Sequence, residues 1–490
     1  MFFNFTILFG LVLNLLSCSQ PGSFDPVDSA QHNIMSPLHF FQNTEEIKNI
    51  FLKVKGTVPS WLSGQLVRNG PGIVENQGKF LNHWFDGFAK LHAFTFKQGR
   101  VTYDCKFLKS DPYQKFKSTG TFDFLGFDQQ PIKDTFSYLD FLWSHKNEAI
   151  ANANVNVAKL NNKRVALTEI PLPVEFDHQL NTVAPFEYRD DLPKKYSFES
   201  AHVLVDPGTK ETWNFLIDIG LLKTSYKIYK IFADSNVRKL VCSIPVTSIS
   251  YMHSFSLAGR YFVLIDYPLR AQNPQDLNQG FIKAFKWDAM AKTKVYVIDR
   301  DTGQYKMFLT DPFFSFHHIN GFESNGQIMV DLIAYRTSDV VNKVNSYPST
   351  QTSPSRLLRL KIDFTKGVEN QTLTSEHFEF PRLNESFRTK DYRYFYALHT
   401  RPQGHGLVKY DHKGRPKYWY QEDAYAGEPV FVAHPQANCE DDGVILSIVN
   451  DFKAKKSFLL ILDAKNLQEQ ARLMTPNLIP FGFHGQFFDD

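Results

Sequence analysis

"KVYVIDRDTGQYKMFL", residues 294 to 309, is the stretch on which the fold is decided. It reads as a β-branched and aromatic strand, a tight turn led by Asp299, and a second strand. Asp suits such a turn because its carboxylate bonds backbone amides two residues further on. The same pattern returns in "LLRLKIDFTKGVENQTL" (357 to 373), "LVKYDHKGRPKYWY" (407 to 420) and "FLLILDAKNLQEQARL" (458 to 473). The turn aspartates Asp299, Asp363, Asp411 and Asp463 lie 64, 48 and 52 residues apart. A supersecondary unit recurring at that interval suggests the blades of a propeller. The residues between repeats do not match, so the period belongs to structure and not to sequence. Helical periodicity is scarce and no Pro/Ser-rich linker divides the chain, which predicts one large all-β domain. "SHKNEAIANANVNVAKL" (144 to 160) and "NPQDLNQGFIKAFKWDAMAKT" (273 to 293) read as excursions over one face.

The chain has 490 residues, 43% apolar and 21% charged, with a net charge of +3. Acidic and basic residues are well mixed, and no basic block suggests a nucleic-acid partner. Aromatics reach 15%, including 46 Phe. Such a surplus suits a β-rich core and equally the lining of an apolar cavity.

The N-terminus differs in kind. "FNFTILFGLVLNLLS" (3 to 17) is apolar and uncharged. It is shorter than the roughly 20 residues of a membrane span and fits the apolar region of a secretory signal covering residues 1 to 19, although no Lys or Arg precedes it. The expected location is the secretory pathway or outside the cell, with an ER-membrane-associated or cytoplasmic protein as the alternative. Cleavage after Ser19 leaves Cys105, Cys242 and Cys439, an odd count that argues against a disulfide framework but leaves room for one pair. Sequons at Asn370 and Asn384 are glycosylation candidates in that compartment.

Of 16 histidines, four share a setting. His202 in "ESAHVLVDP", His253 in "SYMHSFSLAG", His317 in "FSFHHINGF" and His484 in "IPFGFHGQFF" each lie in a short apolar or aromatic strand-like stretch. Their intervals are 51, 64 and 167 residues, so the first two match the turn spacing and the third is about three times it. One histidine per blade, carried by the strand nearest the axis, would converge on a point where imidazoles bind Zn, Cu, Fe or Ni. A four-coordinate zinc would be closed by such a set, whereas a metal preferring six neighbours keeps open positions. His317 and His318 are adjacent, so on an extended chain they face opposite ways and cannot share a role. Carboxylates complete such sites by accepting the outer N–H of each imidazole. Glu169 in "VALTEIPLP", Glu379 in "HFEFPRLN" and Glu428 in "AGEPVFVAHP" are candidates, against the plainer reading of water-exposed edge-strand residues.

With these residues in view, the chain resembles the carotenoid cleavage oxygenases of the animal type, the group of β-carotene-cleaving oxygenases and the retinal-pigment-epithelium isomerohydrolase. The likeness is carried by "GQLVRNGPG" (64 to 72), "NHWFDGFAKLHAF" (82 to 94), "SFHHINGFE", "FEFPRLN", "GEPVFVAHPQANCEDDGVILSIV" and "IPFGFHGQF", and runs over residues 38 to 490. The resemblance implies a seven-bladed β-propeller with a cap of loops and helices over an axial metal. It implies non-haem iron, Fe(2+), held by His202, His253, His317 and His484, with Glu169, Glu379 and Glu428 behind the rings. His318 then points away as a packing or hydrogen-bonding residue. Thr168 matches a position whose methyl shields part of the metal.

The implied reaction is oxidative cleavage of a carotenoid or apocarotenoid double bond by O2 into two carbonyl products, as in retinoid metabolism. The implied partners are an apolar polyene and O2, with peripheral membrane contact for substrate uptake. Two readings compete on the same scaffold: a retinoid isomerohydrolase and a non-enzymatic carotenoid-binding carrier. Two departures stand out. "FLGFDQQPIKDTF" (124 to 136) lacks the cysteine that relatives lipidate, and "STGT" (118 to 121) puts Thr119 where relatives carry an aromatic residue near the substrate channel.

Overall fold

The computed structural model describes residues 42–129, 151–194, 197–220, 223–271, 281–343, 353–401 and 404–489, all within one compact unit, Met35–Asp490. The apolar segment 1–19 and residues 130–136 of the segment without cysteine lie outside the described residues.

Each turn aspartate does what its position predicts. Asp299 accepts from the backbone N–H of Asp301 and Thr302, both at 3.0 Å. Asp363 accepts from Thr365 at 2.8 Å and Lys366 at 3.0 Å. Asp411 accepts from Lys413 at 2.9 Å, and Asp463 from Lys465 at 2.9 Å and Asn466 at 3.1 Å. These turns close hairpins in four successive antiparallel blades. The fourth blade is Ser256–Ala258, Tyr261–Asp266, Thr293–Asp299 and Tyr305–Thr310, and the fifth is His318–Ser324, Gln327–Tyr335, Ser355–Asp363 and Gly367–Thr374. The sixth is Phe378–Arg382, Tyr394–Arg401, Gly404–Asp411 and Lys417–Trp419; the seventh is Val430–Ala433, Gly443–Asp451, Lys456–Asp463 and Glu469–Met474. Ala424–Ala426 pairs with both Gly404–Asp411 and Gly443–Asp451 and joins these last two sheets.

Three further blades precede them. The second is Asn156–Leu160, Lys163–Leu167, Val174–Phe176 and Thr182–Pro185. In the third, Ser197–Glu199 and Leu204–Val205 both pair with Thr212–Ile219, so together they make one interrupted inner strand, followed outward by Thr224–Ile231 and Lys239–Val246. The first blade is built from both ends of the domain: Gly485–Phe488 lies antiparallel to Gly64–Pro71, followed by Ala89–Lys97 and Arg100–Phe107. The ring is a seven-bladed β-propeller closed by its C-terminal strand.

The N-terminal segment fastens the same seam from outside. Ile47–Phe51 adds an edge strand to the first blade and Lys53–Gly56 adds one to the seventh. Lys90, fully buried, anchors this segment by donating to the carbonyls of Asn43 at 2.8 Å and Glu45 at 2.5 Å.

The core lies between blades. Phe255 and Phe262 of the fourth blade stack at 4.5 Å, and Phe215 of the third meets Phe255 edge-on at 5.8 Å. Much of the Phe surplus is spent on such contacts. The asparagine-rich stretch at 144–160 is not an excursion in its described part. Asn154 donates to the carbonyls of Phe85 at 2.7 Å and Gly87 at 2.8 Å, and Asn156–Leu160 is a strand. Its amides serve neighbouring backbone, which composition alone reads as loop. The described part of 273–293 packs as a 3-10 turn, Ile282–Ala284, and a short strand, Lys286–Trp287, in a small sheet with Leu269–Ala271 and Ile249–Ser250. The nine-residue helix Asp111–Thr119 and this small sheet belong to none of the seven blades. Among the described residues, no helix is long and apolar enough to cross a membrane.

Candidate metal centre

Each of the four histidines stands just before a strand nearest the axis, where the sequence pattern has it opening or lying within one. His202 sits in the break of the third blade's inner strand, two residues ahead of Leu204. His253 precedes Ser256–Ala258, His317 precedes His318–Ser324, and His484 precedes Gly485–Phe488. At that position the backbone still bonds neighbouring strands, Ile333 N–H to the His317 carbonyl at 3.0 Å and Asn69 N–H to that of His484 at 2.8 Å, while the rings turn toward the axis. The four rings meet: one nitrogen from each lies within 4.8 Å of all the others. Nε2 of His202 is 2.9 Å from Nε2 of His253, and Nε2 of His317 is 3.3 Å from Nε2 of His484.

Three rings are fixed from behind. Nδ1–H of His253 donates to Glu169 at 2.6 Å, that of His317 to Glu379 at 2.5 Å, and that of His484 to Glu428 at 2.8 Å. A proton held at Nδ1 leaves a lone pair on Nε2, so these three aim lone pairs at one point. His202 is half-buried and has no carboxylate behind its ring among the described residues. Burial, helped by the other three imidazoles, pushes the His202 ring well below the usual histidine range. Burial also brings His484 down to about 3 against the opposing pull of Glu428.

Converging neutral lone pairs repel unless a cation lies between them. The donor set therefore fits a divalent first-row metal, and imidazole suits Fe, Cu, Ni and Zn alike.

The glutamates are not exposed edge residues. The side chains of Glu169 and Glu379 are 15% and 14% exposed, and that of Glu428 is 2%. They come from the three blades that supply no histidine: Glu169 follows Lys163–Leu167 in the second, Glu379 lies on Phe378–Arg382 in the sixth, and Glu428 precedes Val430–Ala433 in the seventh. Every blade thus contributes one residue to the centre.

The carboxylates have further partners. The Tyr251 hydroxyl donates to Glu169 at 3.0 Å, and the Tyr335 hydroxyl to Glu379 at 2.5 Å. Burial would raise Glu379, but His317 and Tyr335 hold it below the usual carboxylate range. Glu428 is bound by two guanidiniums, Arg68 and, at 3.3 Å, Arg382, and by the N–H of Gly485 at 3.0 Å. Burial opposes its ionisation; Arg382, Arg68 and His484 nevertheless hold it well below that range. Arg68 reaches it across Gly485, its strand partner, where a Cβ would lie 2.5 Å from Arg68 Cδ.

His318 turns away from the cluster. Its ring bonds the Ser256 hydroxyl at 2.8 Å through Nδ1 and the Tyr267 hydroxyl at 2.9 Å through Nε2. Thr168 directly precedes Glu169 and is half-buried. Phe380, beside Glu379, holds a left-handed φ of 50°, which is rare for an aromatic residue. Its ring lies 5.3 Å from that of His317 and 5.2 Å from that of His484. An aromatic wall continues outward: Phe316 is 5.3 Å from His253 and 6.3 Å from Phe85, and Phe85 is 5.1 Å from both Phe127 and Phe483. Thr119 ends the helix Asp111–Thr119 and is exposed. Asn384 is buried and caps a 3-10 turn, accepting from Ser386 N and donating to the Glu440 carbonyl at 2.9 Å, so in the folded chain its sequon is engaged in structure. Cys105 and Cys242 are buried, Cys439 is exposed, and all three are unpaired as disulfides.

Sequence reasoning missed Arg68, Arg382, Tyr251 and Tyr335. Tyr251 lies two residues from His253 and Arg382 three from Glu379, so motif context offers a signal for both. Tyr335 is brought in only by the packing of the fifth blade against the sixth.

The profile of the family described as retinal pigment epithelial membrane protein matches residues 40–489. The chain is 31% identical to mouse β,β-carotene 15,15'-dioxygenase, over 92% of this chain and 91% of that protein. It is 28% identical to a carotenoid isomerooxygenase of Galleria mellonella, over 89% of this chain and 92% of the other. Among solved structures, a Glu150Gln mutant of the Synechocystis apocarotenoid oxygenase superposes with a TM-score of 0.81 at 25% identity, covering 92% of this chain and 98% of that one. A cobalt-substituted form of that oxygenase superposes equally well, with a TM-score of 0.81 and 25% identity over 93% of this chain and 99% of that one.

Proposed function

The chain belongs to the retinal pigment epithelial membrane protein family of carotenoid cleavage oxygenases, and from that premise we propose that it is a non-haem Fe(2+) dioxygenase that splits one C=C bond of a carotenoid or apocarotenoid into two carbonyl products. The observation that carries the reading is the meeting of four imidazoles, with no carboxylate in the convergent set. His202, His253, His317 and His484 would hold the iron. When bound, ferrous iron with uncharged ligands supplies an electrophilic, open-sided centre for reaction of O2 with a double bond.

The rest is the work of this chain's residues. Glu169, Glu379 and Glu428 keep the proton on Nδ1 of their histidines, which leaves Nε2 as donor and fixes each ring. Tyr251 and Tyr335 hold two of those carboxylates in place, and Arg68 and Arg382 hold the third. Phe316, Phe85 and Phe127 present apolar faces that favour a polyene and exclude water. Thr168, next to Glu169, is assigned the role of shielding one side of the metal. Substrate is taken up by peripheral contact with a membrane surface. The uncharged apolar run at 3–17 supports a secretory location.

Aerobic incubation of iron-loaded protein with β-carotene tests the reading. Aldehyde products identified by mass, with one O2 consumed per bond cleaved, are expected. Retinol isomers formed from retinyl ester would instead assign an isomerohydrolase, and bound, unchanged pigment a carrier.

A further inference from the structure

Two serines lie beside the histidines that the reading above assigns to iron. The Ser200 hydroxyl accepts from the backbone N–H of His202 at 3.0 Å and donates to the carbonyl of His253 at 2.5 Å. The Ser254 hydroxyl accepts from the backbone N–H of His318 at 3.1 Å and donates to the carbonyl of Phe316 at 2.6 Å. Residues 316 and 318 flank His317, and Ser254 follows His253. One hydrogen-bonded path therefore runs from His202 through Ser200 to His253, and on through Ser254 to the peptide units on either side of His317.

The path crosses two blade junctions. The third, fourth and fifth blades are separate sheets, and no strand ladder spans their boundaries. The distance between their loops is then set by packing and by bonds of this kind. Both serines are buried, 1% and 5% exposed, so water does not compete. A hydroxyl is a short group that donates and accepts at once. Alanine does neither, so each substitution would leave one backbone N–H and one carbonyl unpaired. A convergent site must be held to within about half an ångström, and three of its four members hang on these two loop junctions.

We infer that Ser200 and Ser254 are positioning residues of the metal centre: they fix the spacing of His202, His253 and His317 through the backbone, without touching the metal. The inference rests on a cation occupying the histidine cluster and not on which reaction follows.

The test uses the full-length protein and its Ser200→Ala, Ser254→Ala, Ser200→Thr and Ser254→Thr variants, titrated with Co(II) as a spectroscopic probe and with Fe(II). Ser457→Ala is the control. Ser457 is as deeply buried and as fully bonded, to Asn450 at 2.6 Å and Ile479 N at 2.8 Å, but its hydroxyl bonds neither a histidine of the cluster nor a residue next to one. Each alanine variant at 200 or 254 is expected to bind Co(II) at least about tenfold more weakly and to show a changed visible band. The threonine variants recover the wild-type band and affinity. Ser457→Ala loses thermal stability but binds as wild type. Folded Ser200→Ala and Ser254→Ala proteins with wild-type affinity and band would overturn the inference while leaving the metal centre standing. So would weakening no greater than in Ser457→Ala, or an alanine variant that fails to fold even with metal present. Wild-type protein that binds neither metal at one equivalent would overturn the metal reading, and this inference with it.

Discussion

Arg68 and Glu428 meet across the seam where the propeller closes, with side chains only 6% and 2% exposed. Arg68 lies on Gly64–Pro71 of the first blade and Glu428 stands at the entrance to the seventh. The contact does two things. It compensates a carboxylate whose ionisation burial opposes, and it ties the C-terminal closing strand to the histidine cluster, because the same carboxylate accepts from His484 and Gly485. Ring closure and ligand placement therefore share one ion pair.

That sharing sets Glu428 apart from the other glutamates. Glu428→Gln leaves the buried Arg68 guanidinium and the half-buried Arg382 without their anion, and breaking a buried pair on one side costs about 3–5 kcal/mol. Glu169 is held by a tyrosine and a histidine instead. Glu428→Gln is therefore expected to lower the unfolding midpoint clearly more than Glu169→Gln. Denaturant titration of both variants measures this, and equal losses would contradict it.

The adjacent histidines separate function from structure. His317→Ala removes one of four convergent donors and is expected to abolish one-to-one metal binding with a small change in stability. His318→Gln should keep the metal but weaken the bonds to Ser256 and Tyr267, at about 1–3 kcal/mol. Metal analysis by emission spectroscopy beside a thermal melt reads both. Metal loss in His318→Gln would overturn the division of roles.

Much of this was legible in the sequence. The turn aspartates repeat because each blade needs a tight outer hairpin, and Asp is the residue that bonds such a turn to itself. The four histidines could be picked out because each sits in an uncharged strand-like stretch at blade spacing. What the chain order hides is what comes from other blades. Tyr335 reaches Glu379 only because two neighbouring sheets pack together, and Arg68 reaches Glu428 only because the C-terminal strand pairs with Gly64–Pro71. The asparagine-rich stretch before the second blade misled for the same reason: its amides serve carbonyls of a segment some 65 residues earlier.

Tyr335 offers a graded test of the carboxylates. Its hydroxyl donates to the Glu379 oxygen that His317 does not use. Tyr335→Phe removes a bond to a charged group, about 1.5–3 kcal/mol, and leaves Glu379 freer to turn from His317. Metal affinity is expected to fall about 10- to 100-fold while the aromatic packing persists. Tyr251→Phe should act in the same direction on Glu169 and His253. Isothermal titration with Co(II) gives the affinities, and unchanged values in both variants would show that the carboxylates do not need their tyrosines.

Acid should loosen the fold in a way that can be assigned. Burial brings His83 down to about 4, and His318 and His405 to about 3, from 6.5. Below pH 6.5 the unfolded chain takes up protons on these rings that the folded chain refuses. Their contribution to stability is therefore full above 6.5 and lost as pH falls toward 4. Burial raises Asp86 and Glu199 to about 7, so both bind protons in the folded state that the unfolded chain releases. They favour folding as pH falls through the same window. Three imidazoles outweigh two carboxyls, and His92, lowered too by burial, adds to the imidazole side. Net stability should fall as pH drops from 6.5 to 5, more steeply toward 5 as the imidazoles of the unfolded chain fill with protons. Asp86→Asn keeps one oxygen to accept from Phe127 N–H and, at 3.4 Å, from Asp128 N–H, but cannot titrate. It should steepen that slope by about 1.4 kcal/mol per unit. Urea titrations at half-unit intervals give the slopes, and an Asp86→Asn slope equal to or shallower than wild type would show that Asp86 is not protonated in the folded protein.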